Sequence, residues 1–189
     1  IQNISLPATY EYYAAPKMDK EAFLLARISG WNTYNLLSGE ANVFYEGTFT
    51  GKSYINTQIT KDTLDISLGR DKNIVITRNR IKDFTEKKII GSNKKETLGI
   101  EIAIKNKKNI PVEILIQDQV PVSANKDIEI EILELNGAMK NEENGFIEWK
   151  TKLEPSQIVA KSVVLSTGLT VKVNVTIESQ PKAFTNVSL

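Results

Sequence analysis

Between residues 98 and 132 the chain alternates apolar and more polar side chains with a period of two. Leu98, Ile100, Ile102 and Ile104 alternate with Gly99, Glu101, Ala103 and Lys105. Val112, Ile114 and Ile116 alternate with Glu113, Leu115 and Gln117, and Ile128, Ile130 and Ile132 alternate with Glu129, Glu131 and Leu133. A period of two puts one set of side chains on each face of an extended strand, so each run predicts a strand with one buried face. The polar connector Asn106-Lys107-Lys108-Asn109 has the length of a hairpin loop between the first two runs. After the turn Asn141-Glu142-Glu143-Asn144-Gly145, residues 146–153 predict another strand with Trp149 pointing inward. Pro155 stops it, and residues 158–166 predict one more. Five or six antiparallel strands in about 80 residues predict an immunoglobulin-like sandwich, here without its usual disulfide.

The first third is also β-rich but less regular. Strands are expected at residues 10–14, 22–28, 41–45, 47–55, 63–68 and 74–77, with turns at Gly39-Glu40, Glu46-Gly47, Thr50-Gly51 and Gly69-Arg70. Residues 18–27 contain enough helix formers to be helical on propensity alone. The extended run Phe23, Leu25, Arg27, Ile28 after a turn at residues 17–20 favours a strand instead. The expected fold is therefore mostly β, in two sandwich-like or barrel-like parts. Residues 1–81 plus 167–189 form the first, and residues 82–166 the second. The charged stretch between them, with Ile89 and Ile90 inside it, predicts an extended connector paired on an edge rather than a loose linker.

Composition removes whole classes of chemistry. The 189 residues contain no His and no Cys. That excludes His-based triads, His- or thiolate-ligated metals, thiol nucleophiles and disulfides. Charge is uneven: residues 70–110 hold twelve basic and five acidic residues, residues 111–155 four basic and ten acidic. Opposite charges on paired strands account for this, and with only Phe84 interleaved in the basic run no nucleic-acid partner is expected. The row Asp127, Glu129, Glu131 diverges with strand twist and predicts a solvated sheet face, so no metal and no cofactor are expected. No apolar run approaches the ~20 residues of a membrane span, and no signal peptide is expected within residues 1–189.

Tyr10, Tyr12, Tyr13, Trp31, Tyr34, Phe44, Tyr45, Phe49 and Tyr54 make the first 54 positions rich in aromatic side chains. Clustered Tyr and Trp pack cores, stack on sugar rings or anchor protein interfaces. Tyr12, Tyr13, Trp31 and Tyr34 are the candidate binding face on this reading. No residue is a candidate for catalysis.

Several stretches are distinctive in their order. They are Leu6-Pro7-Ala8-Thr9-Tyr10-Glu11-Tyr12-Tyr13-Ala14-Ala15-Pro16-Lys17, Ala22-Phe23-Leu24-Leu25-Ala26-Arg27-Ile28 with Trp31, and Leu36-Leu37-Ser38-Gly39-Glu40-Ala41-Asn42-Val43-Phe44. Gly47-Thr48-Phe49-Thr50-Gly51-Lys52-Ser53-Tyr54-Ile55, Leu68-Gly69-Arg70-Asp71, Asp118-Gln119-Val120-Pro121-Val122-Ser123 and Leu153-Glu154-Pro155 follow. Together, over residues 6–157, they resemble the C-terminal domain of the mucoidy-inhibitor-A-like bacterial family. The resemblance implies an exported protein, periplasmic or at the cell surface, with a further N-terminal β and coiled-coil region. It carries over no catalytic residues. A non-enzymatic structural or interaction domain is the expected role, its partner another envelope protein or a second copy of the chain. A glycan-binding or glycan-processing protein is the alternative. The segment Leu169–Phe184 looks like the strand and turn that precede the Leu-Pro-Ala-Thr-Tyr stretch in the family. A circularly permuted chain, a reordered one and a natural C-terminal extension all fit that order.

Overall fold

The computed structural model describes residues 3–58, 62–90 and 93–170. They form eleven strands and one 3-10 turn, Trp31–Thr33, so the chain is nearly all β. The strands are β1 (Ala8–Ala14), β2 (Glu21–Ser29), β3 (Gly39–Tyr45), β4 (Thr48–Ile55), β5 (Thr63–Ile90), β6 (Asn93–Asn106), β7 (Val112–Gln119), β8 (Ile128–Glu134), β9 (Met139–Lys140), β10 (Phe146–Leu153) and β11 (Ile158–Thr170). Within residues 18–27, Glu21–Arg27 are extended in β2, with a turn at residues 16–18 before it, so the segment is not helical. The expected strands at 63–68 and 74–77 are pieces of one long strand, β5. The proposed kinship of segment 169–184 with the family's leading strand lies mostly outside the described residues.

Nine strands make one mixed sheet in the order β8-β11-β6-β5-β2-β1-β7-β10-β9, and β3 and β4 make a separate hairpin. The sheet continues across residues 81–82: β5 runs through that point, and β1 pairs in parallel with β7 through Tyr12↔Ile114. Flat, β5 and β7 would lie three strand spacings apart, about 14 Å. Yet Arg78 Nε of β5 reaches Asp118 Oδ2 of β7 at 2.8 Å. Trp149 of β10 donates from Nε1 to the carbonyls of Leu135 (3.0 Å) and Asn136 (3.1 Å), just after β8 at the far end of the sheet order. The sheet is therefore folded over, and its two halves face each other. Among the described residues β8 and β9 do not pair, so no barrel closes.

Hydrophobic burial drives that folding. Ile102 and Ile104 from β6, Ile114 and Ile116 from β7, and Leu153 from β10 are fully buried in one core with Ile147, Trp149 and Val163. Each apolar row occupies alternate positions of its strand, and the sheet has one face available for all of them. Only facing halves remove those rows from water together, at ~25 cal/mol for each Å² buried.

The connector 106–109 departs from its expected geometry. β6 pairs with β5 and β11, whereas β7 pairs with β1 and β10, so the connector crosses between the halves instead of closing a hairpin. Asn106 makes the crossing specific. Fully buried, it donates from Nδ2 to the carbonyls of Ile110 (2.9 Å), Leu153 (3.3 Å) and Glu154 (3.2 Å), and its Oδ1 accepts from the Lys108 N–H (2.9 Å). Length alone does not distinguish a hairpin from such an arch; the side-chain hydrogen bonds do.

The charged stretch after Ile81 pairs as an extended connector should. Lys87 opposes Glu96 and Ile90 opposes Asn93 in the β5–β6 ladder. Lys87 and Glu96 form an ion pair across the paired strands β5 and β6 (3.6 Å), the opposite-charge pairing expected from the uneven sequence, and Lys95 of β6 reaches Glu131 of β8 across β11 (3.8 Å). No helix among the described residues is long and apolar enough to cross a membrane.

Candidate binding site

Tyr12 and Tyr13 are neighbours on a strand and therefore face opposite sides of the sheet. Tyr12 points into the core, while the half-buried Tyr13 donates its hydroxyl proton to Gln117 Oε1 at 2.8 Å. Gln117 in turn donates to Glu148 Oε1 at 2.8 Å. Burial first, and the nearby Glu148 charge second, raise the Tyr13 pKa. Trp31 is buried in the 3-10 turn, and its Nε1 has no hydrogen-bond partner among the described residues. Tyr34 is half-buried just beyond. No ring contact joins these four among the described residues.

Tyr12 belongs to a compact polar cluster. Its hydroxyl donates to Asp71 Oδ2 at 2.6 Å, and Lys108 Nζ donates to the same oxygen at 2.7 Å and to the Tyr12 hydroxyl at 3.0 Å. The ammonium also lies 5.6 Å from the centre of the Tyr12 ring, within range of its negative face. Burial alone would raise the Asp71 carboxyl. The hydrogen bonds from Lys108, Tyr12 and the Asn73 N–H outweigh it and hold the group at about 2. Lys108 is raised because the same bonds overcome its own burial, and Tyr12 is raised by burial and by its bond to Asp71. A lysine held charged is neither a nucleophile nor a base. The cluster ties β1, β5 and the crossing connector together.

Above it leans the β3–β4 hairpin. Tyr45 pairs with Thr48, leaving Glu46 (φ 49°) and Gly47 (φ 78°) as a two-residue turn with both residues left-handed, the geometry that suits the twist of a hairpin. One face turns toward the sheet: Val43 is buried, and Tyr45, though exposed, meets the exposed Tyr10 of β1 with ring centres 6.5 Å apart. The other face is open. Glu40 opposes Tyr54, Asn42 opposes Lys52, and Phe44 opposes Phe49 past a bulge after Val43. Phe44 is 64%, Phe49 53% and Tyr54 66% exposed. The two Phe rings meet edge to face at 5.5 Å and 61°, and Lys52 Nζ bonds Glu40 Oε2 at 2.7 Å on the same face. Phe44, Phe49 and Tyr54 belong to the aromatic cluster legible in the sequence, but not to the four residues singled out there as a binding face. The turn at Glu46-Gly47 and the strands expected at 41–45 and 47–55 placed the hairpin, but the bulge that brings Phe49 opposite Phe44 leaves no sequence signature.

Among the described residues no group of three or more Asp and Glu is arranged to hold a metal ion. Glu131 of the acidic row instead meets Lys95.

An all-β domain with a folded sheet and an aromatic hairpin is thus the class of protein defined. The chain belongs to the family described as Domain of unknown function (DUF4139), whose profile matches residues 3–173. It is 24% identical over 137 residues to Protein F37C4.5 of Caenorhabditis elegans, a match covering 70% of this chain and 24% of that protein. The chain thus spans about a quarter of that relative's length. No solved structure matches.

Proposed function

We propose that this domain is a non-enzymatic protein-interaction module whose contact surface is the open face of the β3–β4 hairpin. The observation that carries the reading is the exposure of Phe44, Phe49 and Tyr54 on one face of a hairpin whose other face is held by Val43 and Tyr45. The Phe44–Phe49 pair is an exposed aromatic centre beside the Glu40–Lys52 ion pair, with Tyr54 beyond that ion pair on the same face, the mix of aromatic and polar groups that protein interfaces use. The edge-to-face Phe pair offers no flat platform for a sugar ring, which favours a protein partner over a glycan. The resemblance to the mucoidy-inhibitor-A-like family supports a place in the bacterial envelope, periplasmic or at the cell surface, with an envelope protein or a second copy of the chain as partner. The facing sheet halves suit an immunoglobulin-like interaction domain.

The test is a Phe44→Ala/Phe49→Ala double variant, both positions exposed, compared with wild type by sedimentation and by crosslinking in envelope extract. Loss of one defined crosslinked or self-associated species, with an unchanged melting profile, is the expected result. Equal crosslinking by both proteins, or polysaccharide retention that the double variant loses, overturns the reading.

A further inference from the structure

The apolar row on the inward face of β5 changes character along the strand. Ile74 and Ile76 are buried in the core, and the next two inward positions are Arg78 and Arg80. Their ladder partners are Ile102 and Ile100, so both guanidinium groups start from the interior side of the sheet. There the two halves diverge and leave a cavity of about 200 Å³, floored by Leu98, Ile100, Ile147, Val163 and Leu165. Arg78 is neutralised inside it: Nε and Nη2 donate to the two oxygens of Asp118 at 2.8 and 3.3 Å, and Asp118 also accepts the Gln119 N–H at 2.7 Å. The side chain of Asp118 is 2% exposed, so this pair is fixed wall.

Two further cations line the cavity without a counter-charge. Arg80 is exposed and makes no hydrogen bond or ion pair among the described residues. Lys17, from the turn between β1 and β2, reaches only neutral acceptors, the carbonyl and Oε1 of Gln119 at 3.4 and 3.2 Å. Both cations are exposed and solvated at the mouth of the cavity, so they are available to an anion whose apolar part enters it. The geometry points to a binding site for an anionic amphiphile, a carboxylate with a short acyl chain. The chain would lie on the Ile100–Val163–Leu165 floor and the carboxylate would bridge Arg80 and Lys17. The volume is below the ~300–1,000 Å³ of drug-sized pockets, which sets a short chain against a long one. Arginine presents the two-pronged donor geometry that a carboxylate accepts.

The probe is octanoate, titrated into the full chain while methyl signals of Leu98, Ile100, Val163 and Leu165 are followed by NMR. Octanol and acetate each supply one half of the ligand. Saturable shifts with octanoate at those methyls are expected, with octanol and acetate at least tenfold weaker. Arg80→Gln, at an exposed position, should weaken octanoate at least tenfold while the spectrum stays folded, and raised salt should weaken it too. Lys17→Gln should give a smaller loss. Equal affinity for octanoate and octanol, retention of octanoate by Arg80→Gln, or shifts confined to the β3–β4 hairpin would each overturn the assignment.

Discussion

Lys108 and Tyr12 both direct a proton at the same oxygen of Asp71, at 2.7 and 2.6 Å, although 96 positions separate the two donors in sequence. That shared acceptor joins β1, β5 and the crossing connector, and it ties stability to pH. Asp71 is lowered from an ordinary 3.8 to about 2. A depressed carboxyl contributes stability that is present above its unfolded value and lost as pH falls through the folded one. Denaturant titrations at pH 6, 4 and 2.5 should therefore show a loss on the order of 2 kcal/mol from this group between about pH 4 and pH 2. Lys108 is raised, so its contribution is present below the ordinary 10.5 and disappears only in stronger alkali. Asp71→Asn should remove that acid-limb contribution and cost about 1–3 kcal/mol at pH 7, since a part-buried ammonium loses its counter-charge. An unchanged acid limb in the variant would show that Asp71 is not the titrating group.

The contrast between what sequence foretold and what it missed follows from the range of each interaction. Alternation at 98–104, 112–116 and 128–132 is local, and β6, β7 and β8 appear where it placed them. Trp149 is inward, as its strand parity requires. Pairing partners are not local. Nothing in Val112–Ile116 says that β7 lies beside β1 in parallel, because that choice depends on how a core shared by distant strands closes. The site divides in the same way. Aromatic enrichment in the first 54 positions was visible, but strand parity buried Tyr12, while the Thr50 bulge and the Glu46-Gly47 turn exposed Phe44 and Phe49.

Asn106 should behave as a core residue despite its polarity. Its amide satisfies three carbonyls at the point where the chain leaves one half of the sandwich for the other. Asn106→Ala leaves those acceptors and the Lys108 N–H to be satisfied elsewhere, at a cost of about 2–4 kcal/mol. Asn106→Asp restores shape and one acceptor but no donor, and at neutral pH should be at least as damaging. Urea midpoints of the two variants check this, and a midpoint within error of wild type would show that the crossing is held by packing alone.

Gly145 occupies a position that no other residue fits. Its φ is 72°, and a Cβ there would stand 2.3 Å from the Val120 carbonyl oxygen. The Val120 N–H donates to the Gly145 carbonyl at 2.9 Å, so neither segment can retreat freely. Gly145→Ala combines left-handed strain of ~1–2 kcal/mol with an overpacking cost of ~1–3 kcal/mol. Thermal melts should place this variant well below Gly137→Ala, where φ is 74° but open space surrounds the missing Cβ.

The charged arm offers the last test, because its composition and its geometry predict opposite behaviour. Lys87, Lys88, Lys94 and Lys95 fall within nine residues, a density that would mark an accessible linker as a preferred site for trypsin. Their backbones are instead paired in the ladder: Lys87 opposes Glu96, Lys88 opposes Lys95, and Ile89 opposes Lys94. On the far side of β6, β11 pairs through Gly168↔Lys95 and Leu169↔Lys94, so the β6 lysines sit in an interior strand. A protease must bind its substrate extended and unpaired, so cleavage here requires local opening of the arm. Lys82, before the break in register between Ile81 and Glu86, is the exposed position where the ladder is interrupted. Limited trypsin digestion followed by mass spectrometry should therefore cut at Lys82 before Lys87 or Lys94. Rapid cleavage at Lys94 and Lys95 that releases two separately folded fragments would defeat the paired-arm geometry.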